Sequence, residues 1–306
     1  MFPRFLHVVL FAKWIFPIAA SRAATNGDAD VFSCDVIISF LHSNGTLQDM
    51  AAPNANEDIS CLVNDLVYSI PESIIEAHKE QLKASGRKTM HIVGGSLPGR
   101  GRAGAAASDE IVVPSASKIE FRKSGDGLRR LSGSGLQRKQ GTSEVLVIRV
   151  IANDARSSMS ANLLYDRVFG DGSKVIQDRD RSISSGTLTK TYMDCSHGKL
   201  NIVPAKGDGI VKGVGFVKIN MNVTGATNRK VENAVTTAIE AKYGSVGKWD
   251  HIMYCLPKGT VGPLGPWYAY GYNDYYRSVY NDEWCGQNSV VVHEIGHNIG
   301  LQYVLI

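Results

Sequence analysis

Apolar residues fall into two patterns along this chain: alternating runs typical of strands, and a wider spacing typical of helices. The N-terminal part carries partly alternating, β-branched runs at residues 31–40 and 58–70. A helical pattern follows at residues 72–84. Together these runs predict a small β-rich unit with one helical piece.

A second unit is predicted to begin with the segment E-V-L-V-I-R-V-I-A at residues 144–152. Its nearly continuous β-branched composition is typical of a strand buried on both faces, so it should be the central strand of a sheet. Further patterns follow in the order helix after Ser160, strand at 200–203, one or two strands within 211–223, helix at 228–243 and strand at 251–255. This order predicts an α+β fold with an α/β-like succession of elements.

Residues 259–287 form an aromatic stretch that we expect to be a loop. Its rings are Trp267, Tyr268, Tyr270, Tyr272, Tyr275, Tyr276, Tyr280 and Trp284. Aromatic side chains at this density either line a substrate groove or pack over the edge of the sheet. Packing is the more common arrangement.

Between the two units, Gly, Ser, Ala and Arg dominate residues 94–140, which is typical of a linker. It contains the basic pairs Arg129-Arg130 and Arg138-Lys139. Such pairs are either simply solvated or cut by a processing protease.

The first residues predict secretion. Residues 1–24 combine an early Arg4, an apolar run interrupted by Lys13 and small residues before Ala24, a pattern typical of a cleaved signal peptide. No later segment is long and apolar enough to predict a membrane span. The net charge of +4 gives no reason to expect a nucleic-acid partner.

Cysteine usage also fits an oxidising compartment. The five cysteines are Cys34, Cys61, Cys195, Cys255 and Cys285. The first two can pair with each other, whereas the last three cannot all pair among themselves. We therefore expect a fourth partner in a C-terminal portion that this sequence lacks. Two glycosylation sequons, at Asn44 and Asn222, are compatible with secretion.

The motif that carries chemistry is S-V-V-V-H-E-I-G-H-N-I-G at residues 289–300. On a helix, the spacing of His293 and His297 places both imidazoles on one face, with Glu294 about a quarter-turn away. Two neutral imidazoles suit Zn²⁺, and the adjacent carboxylate can accept a proton from a water that the metal activates. The alternative is a buried helix whose two histidines are merely hydrogen-bonded.

Gly300 extends the match towards H-E-x-x-H-x-x-G-x-x-H, in which the glycine ends the helix and turns the chain towards a third histidine. The third position is Tyr303 here, and the sequence ends at Ile306. A tyrosine can ligate zinc weakly; alternatively, the last residues belong to a truncated or misread end. The other histidines near these segments, His197 and His251, are expected to be structural.

From Val145 to Gly300 the chain resembles the gametolysin family of metzincin zinc peptidases. The similar segments are L-V-I-R-V-I-A-N-D-A-R, D-C-S-H-G-K-L-N-I-V-P-A, D-H-I-M-Y-C-L-P-K-G-T, V-Y-N-D-E-W-C and V-H-E-I-G-H-N-I-G. Five separated matches in one order are far more specific than the histidine motif alone.

The resemblance implies a mixed twisted sheet with an active-site helix, as in the metzincin upper subdomain, truncated after that helix. It implies His293 and His297 as zinc ligands and Glu294 as the catalytic base. It also implies a secreted endopeptidase whose substrate is a protein or peptide, such as an extracellular-matrix or cell-wall glycoprotein.

The expected organisation is a signal peptide at 1–24, a β-rich pro-domain at 25–95, a linker at 96–142 and a catalytic domain at 143–306. The competing function is a catalytically inactive secreted pseudo-peptidase or binding module that lacks the third zinc ligand.

Overall fold

A computed structural model describes residues 31–41, 56–83, 88–98, 109–115, 117–123, 140–171, 176–177, 183–184, 186–262 and 265–301. The predicted signal peptide, both basic pairs of the linker and Tyr303 lie outside these ranges. Within them, no helix is long and apolar enough to cross a membrane.

The described residues from 31 to 123, here called the N-terminal unit, form an antiparallel sheet in the order β3-β2-β1-β4-β5. Its strands are β1 (Val31–Leu41), β2 (Asn56–Val63), β3 (Leu66–Ser69), β4 (Lys88–Val93) and β5 (Ile119–Lys123). Two short helices, α1 (Glu72–Ala77) and α2 (Lys79–Lys83), join β3 to β4. The predicted strands and helical piece are therefore confirmed.

The N-terminal unit is larger than its predicted limit at residue 95. β5 comes from the segment predicted as a linker and pairs with β4 from Lys88↔Lys123 to Ile92↔Ile119. Ile111, from the same segment, is 2% exposed and belongs to the core of this unit. Short apolar stretches within a polar region were sufficient to complete the sheet.

The described residues from 140 to 301, the C-terminal unit, are built on a mixed six-stranded sheet. The strands are β6 (Gly141–Ile151), β9 (Leu200–Pro204), β10 (Val214–Lys218), β11 (His251–Leu256), β12 (Ala269–Gly271) and β13 (Arg277–Asn281). The main order is β10-β6-β11-β13-β12, and β9 also pairs with β6. β12 is antiparallel to β13, whereas the other pairs are parallel. β6 is central, as predicted.

Helices cover both faces of this sheet. These helices are α3 (Ala161–Phe169), α4 (Leu188–Cys195), α5 (Asn228–Tyr243) and α6 (Asn288–Asn298). A separate two-stranded ribbon comprises β7 (Ile176–Gln177) and β8 (Ile183–Ser184). Alternate residues of β6 enter two different cores, one shared with α5 and the other with α3, α4 and α6. The predicted cap of α3 is present, because the Ser160 hydroxyl accepts from the Leu163 N–H at 3.2 Å.

The aromatic stretch is not a single loop, because it contains β12, β13 and a 3₁₀ turn at residues 282–286. Most of its rings are buried in the two cores, and the fully or nearly buried ones are Trp267, Tyr270, Tyr272, Tyr275, Tyr276 and Tyr280. Of the two alternatives for these residues, packing is therefore the one observed.

Four of the five cysteines are paired. Cys34–Cys61 links β1 to β2, as expected, and Cys255–Cys285 links β11 to the 3₁₀ turn. Cys195 is exposed and free. A partner for it in a further portion of the protein stays a prediction.

Alkylation of the native, non-reduced chain should therefore modify Cys195 alone, because only this thiol is both free and exposed. Peptide mapping by mass spectrometry checks this, with the reduced and denatured chain as the control in which all cysteines react. Labelling of Cys255 or Cys285 without reductant would contradict the pairing.

Candidate metal centre

α6 lies in the interior of the C-terminal unit and carries the H-E-x-x-H residues. Every residue from 290 to 298 is buried. The apolar residues of the helix that enter the core with α3 and α4 are Val290, Val291, Val292 and Ile295. This packing fixes the rotation of the helix about its axis, and therefore the direction in which its polar side chains point.

The two histidines of the motif lie side by side, as predicted from their spacing. The Nε2 atoms of His293 and His297 are 3.1 Å apart, and the ring planes meet at 87°. When two nitrogens each bind one tetrahedral Zn²⁺ at about 2.0–2.1 Å, the distance between them is about 3.3 Å. The separation thus fits two ligands of one metal ion, and it also fits one hydrogen bond between neutral rings.

The other side of the His297 ring decides its tautomer. Nδ1 of His297 lies 3.0 Å from the backbone oxygen of Leu301. A carbonyl can only accept, so Nδ1 carries the hydrogen and the lone pair of the neutral ring is on Nε2. A metal-ligating histidine almost always donates its second nitrogen in this way, to a carbonyl or carboxylate.

Electrostatics also favour the neutral form of His297. Burial lowers its pKa to about 4, and the neighbouring His293 acts in the same direction. The ring is only 2% exposed. At neutral pH, His297 therefore keeps an unprotonated Nε2, which is the form that binds a metal.

Glu294 is fully buried beside the pair. Burial raises the pKa of its carboxyl well above the ordinary value, while the backbone N–H of Gly271 on β12 acts in the opposite direction. A carboxylate whose pKa is raised is a stronger base, which suits a group that must accept a proton.

β12 lies so close to α6 that only glycine fits at position 271. A Cβ added there would stand 2.4 Å from the backbone oxygen of Glu294. Sequence reasoning missed this residue, because nothing in the local pattern distinguishes a glycine at a close approach from one in a turn.

Gly271→Ala should push α6 away from β12, lowering zinc affinity and costing about 1–3 kcal/mol of unfolding free energy. Zinc affinity is measured by competition with a chromophoric chelator, and stability by urea unfolding. Gly141→Ala is the control for zinc affinity: at a φ of +93° alanine strains the backbone and lowers stability, but its Cβ meets nothing within 4 Å, so zinc affinity should be unchanged. Unchanged zinc affinity in Gly271→Ala would show that this close packing does not position the histidines.

The C-terminal end of α6 is held by the β12–β13 loop, residues 272–276. The side-chain amide of Asn298 donates to the backbone oxygens of Tyr272 and Arg277 at 3.0 and 2.7 Å, and the Asp274 N–H donates to the His297 oxygen at 3.0 Å. The helix ends at Asn298, and Gly300 has a φ of +85°, as expected for the predicted helix-ending glycine. Sequence reasoning did not find the role of Asn298.

Among the described residues, no group of three His, Cys, Asp or Glu side chains is placed to hold a metal. His197 is exposed on the turn after α4, and His251 is buried at the start of β11. The structure therefore brings together His293, Glu294 and His297. Comparison of the chain with protein-family models, curated proteins and solved structures gave no match.

Proposed function

We propose that this protein is a secreted zinc-dependent endopeptidase of the gametolysin type, acting on extracellular-matrix or cell-wall glycoproteins. The observation that carries the proposal is the His293–His297 pair: two Nε2 atoms at 3.1 Å, with the His297 lone pair directed to the shared position by the Leu301 carbonyl. In a purely structural pair the same lone pair would accept a hydrogen bond from His293, so the metal count described below distinguishes the two arrangements.

Each residue of the site has its own role in the proposed hydrolysis. His293 and His297 would hold Zn²⁺, which when bound polarises a peptide carbonyl and lowers the pKa of water. Glu294 takes the proton from the attacking water and later returns it to the leaving amine. The backbone N–H of Gly271 favours the ionised form of the Glu294 carboxyl, which is the form that accepts a proton.

Secretion is part of the same proposal. Two disulfides in the folded chain are typical of proteins that mature in an oxidising compartment. Asn222, in the second sequon, is exposed and so accessible to a glycosyltransferase.

A second candidate is a secreted pseudo-peptidase or binding module. It is favoured by one observation, that no group of three His, Cys, Asp or Glu side chains in the described part of the chain is placed to hold a metal. Two ligands hold zinc far more weakly than three, since even changes outside the ligand set cost 10- to 100-fold in affinity.

Zinc content separates the two functions. The chain, purified from a secreting host, is dialysed against buffered micromolar Zn²⁺ and its metal is counted by mass spectrometry; the peptidase requires one equivalent. His293→Ala should lose the metal, whereas His197→Ala, at an exposed position, should keep it. Zinc-loaded protein that cleaves no protein substrate would leave only the binding module, and absence of zinc would overturn the peptidase.

Sequencing the transcript across its 3′ end tests whether a histidine replaces Tyr303.

A further inference from the structure

The tip of the β2–β3 hairpin of the N-terminal unit is inserted into the C-terminal unit. Asn64 and Asp65 form the turn, with φ values of 51° and 61°. Both residues are in the left-handed region that Asn and Asp tolerate better than other side chains. The turn therefore projects one carboxylate and one backbone carbonyl beyond the end of the strands.

Asp65 is bound by three residues of the other unit. Its Oδ1 accepts hydrogen bonds from the hydroxyls of Tyr275 and Tyr276, each at 2.6 Å. Its backbone oxygen accepts from the Arg277 guanidinium at 2.8 Å. Burial raises the pKa of the Tyr275 hydroxyl well above its ordinary value, so this hydroxyl remains a donor.

Arg277 joins the hairpin tip to a buried carboxylate. Its side chain is 0% exposed and donates to Glu232 on α5 at 2.9 Å, where the second carboxylate oxygen accepts from Tyr270 and Tyr272 at 2.8 and 2.9 Å. Charges are buried at this depth only when they are paired and hydrogen-bonded. The Asp65 turn adds a backbone acceptor to that set of partners.

α5 of the C-terminal unit also makes polar contacts with the N-terminal unit. The side-chain amide of Asn233 bonds both backbone groups of Val67, each at 2.8 Å, as a neighbouring strand would. Arg229 pairs with Asp58 and donates to Ser60 at 2.8 Å. All these donors and acceptors pair across the boundary between the units.

The apolar cores are continuous as well. Alternation in β1 and β2 gives the N-terminal sheet two apolar faces, one of which forms that unit's own core. The other face contributes Ile37, Leu62 and Val67 to the core that contains α5 and alternate residues of β6. Beyond the part of β1 that pairs with β4, the Asn273 N–H donates to the Ile38 oxygen at 3.0 Å.

We propose that the N-terminal unit remains bound when the chain is cut between Lys123 and Gln140, so that processing yields a two-chain protein rather than a released pro-domain. A cut at Arg129-Arg130 leaves all five strands of the first sheet on one fragment and β6 on the other. Release would leave Arg277 without its Asp65 partner and would expose the shared core. The same loop that binds Asp65 also holds the end of α6, so the bound unit supports the histidine helix.

The test replaces Arg129-Arg130 with the recognition sequence of a site-specific protease. The folded chain is cut to completion and passed through size exclusion in native buffer at about 1 μM, a concentration at which only complexes with a submicromolar Kd persist. We expect both fragments to elute together. Each disulfide lies within one unit, so a non-reducing denaturing gel should separate them. Separation of the fragments in native buffer would overturn the proposal.

Asp65→Ala tests the hairpin tip, and Arg122→Ala is the control because its side chain is 67% exposed on β5. Loss of two hydrogen bonds to a carboxylate should raise the Kd between the fragments about 10- to 100-fold. The control should leave it unchanged, and circular dichroism before cutting checks that each variant folds. An unchanged Kd in Asp65→Ala would refute the role of the tip. Neither measurement needs zinc or activity, so its failure is distinguishable from failure of the proposed peptidase.

Discussion

Replacing Glu294 with Gln is expected to slow peptide hydrolysis by about 10²- to 10⁴-fold, the contribution typical of a general base. Gln keeps the size of the side chain and an oxygen that can face the Gly271 N–H, but it cannot accept the proton of the attacking water. Glu294 is adjacent to a proposed ligand and is not one itself, so zinc content should be unchanged. Initial rates on a protein substrate, with metal content measured on the same sample, provide the readout.

Glu240→Gln is the matched control for this variant. Glu240 is exposed on α5, which packs on the opposite face of the sheet from α6. The control should retain both activity and zinc. Equal rates for Glu294→Gln and the unaltered chain would refute the proposed mechanism, and loss of zinc would show that Glu294 acts on the site's structure.

Arg277→Met is expected to lower the free energy of unfolding by about 3–5 kcal/mol, because it leaves the Glu232 carboxylate buried without its charged partner. Methionine approximates the length of the arginine stem, so the loss is mainly electrostatic. Because the two units share a core, urea unfolding followed by tyrosine and tryptophan fluorescence reports on both together.

The matched control is Arg122→Met. Arg122 pairs with Glu120 at 3.0 Å, but both side chains are exposed, so about 1 kcal/mol or less is expected. Adding Glu232→Gln to Arg277→Met should restore part of the lost stability, since the unpaired charge is then removed. A loss no larger than that of Arg122→Met would mean that the buried pair is not important for stability.

Local patterns predicted much of the fold. The β-branched segment at 144–152 is the central strand β6, Ser160 caps α3, and α6 ends just before Gly300. These features depend on neighbouring residues in the chain, so the sequence contains the information directly.

Two expectations were wrong because pairing across the chain overrode composition. Residues 119–123 lie in a polar segment predicted as linker, yet they form β5, since β4 offered an unpaired edge. The aromatic stretch at 259–287 was expected to be a loop, but it contributes β12 and β13 to the sheet.

The sequence by itself determined that His293, Glu294 and His297 share a helix and lie on adjoining faces, because the helical repeat is fixed by backbone geometry. Only the tertiary structure decided the His297 tautomer, through the Leu301 carbonyl, and the fit of Gly271 against α6. It alone also paired Arg277 with Glu232 and Asp65. Charged residues are usually exposed, so no local pattern marks those that become buried; their partners are set by how the two sheets pack.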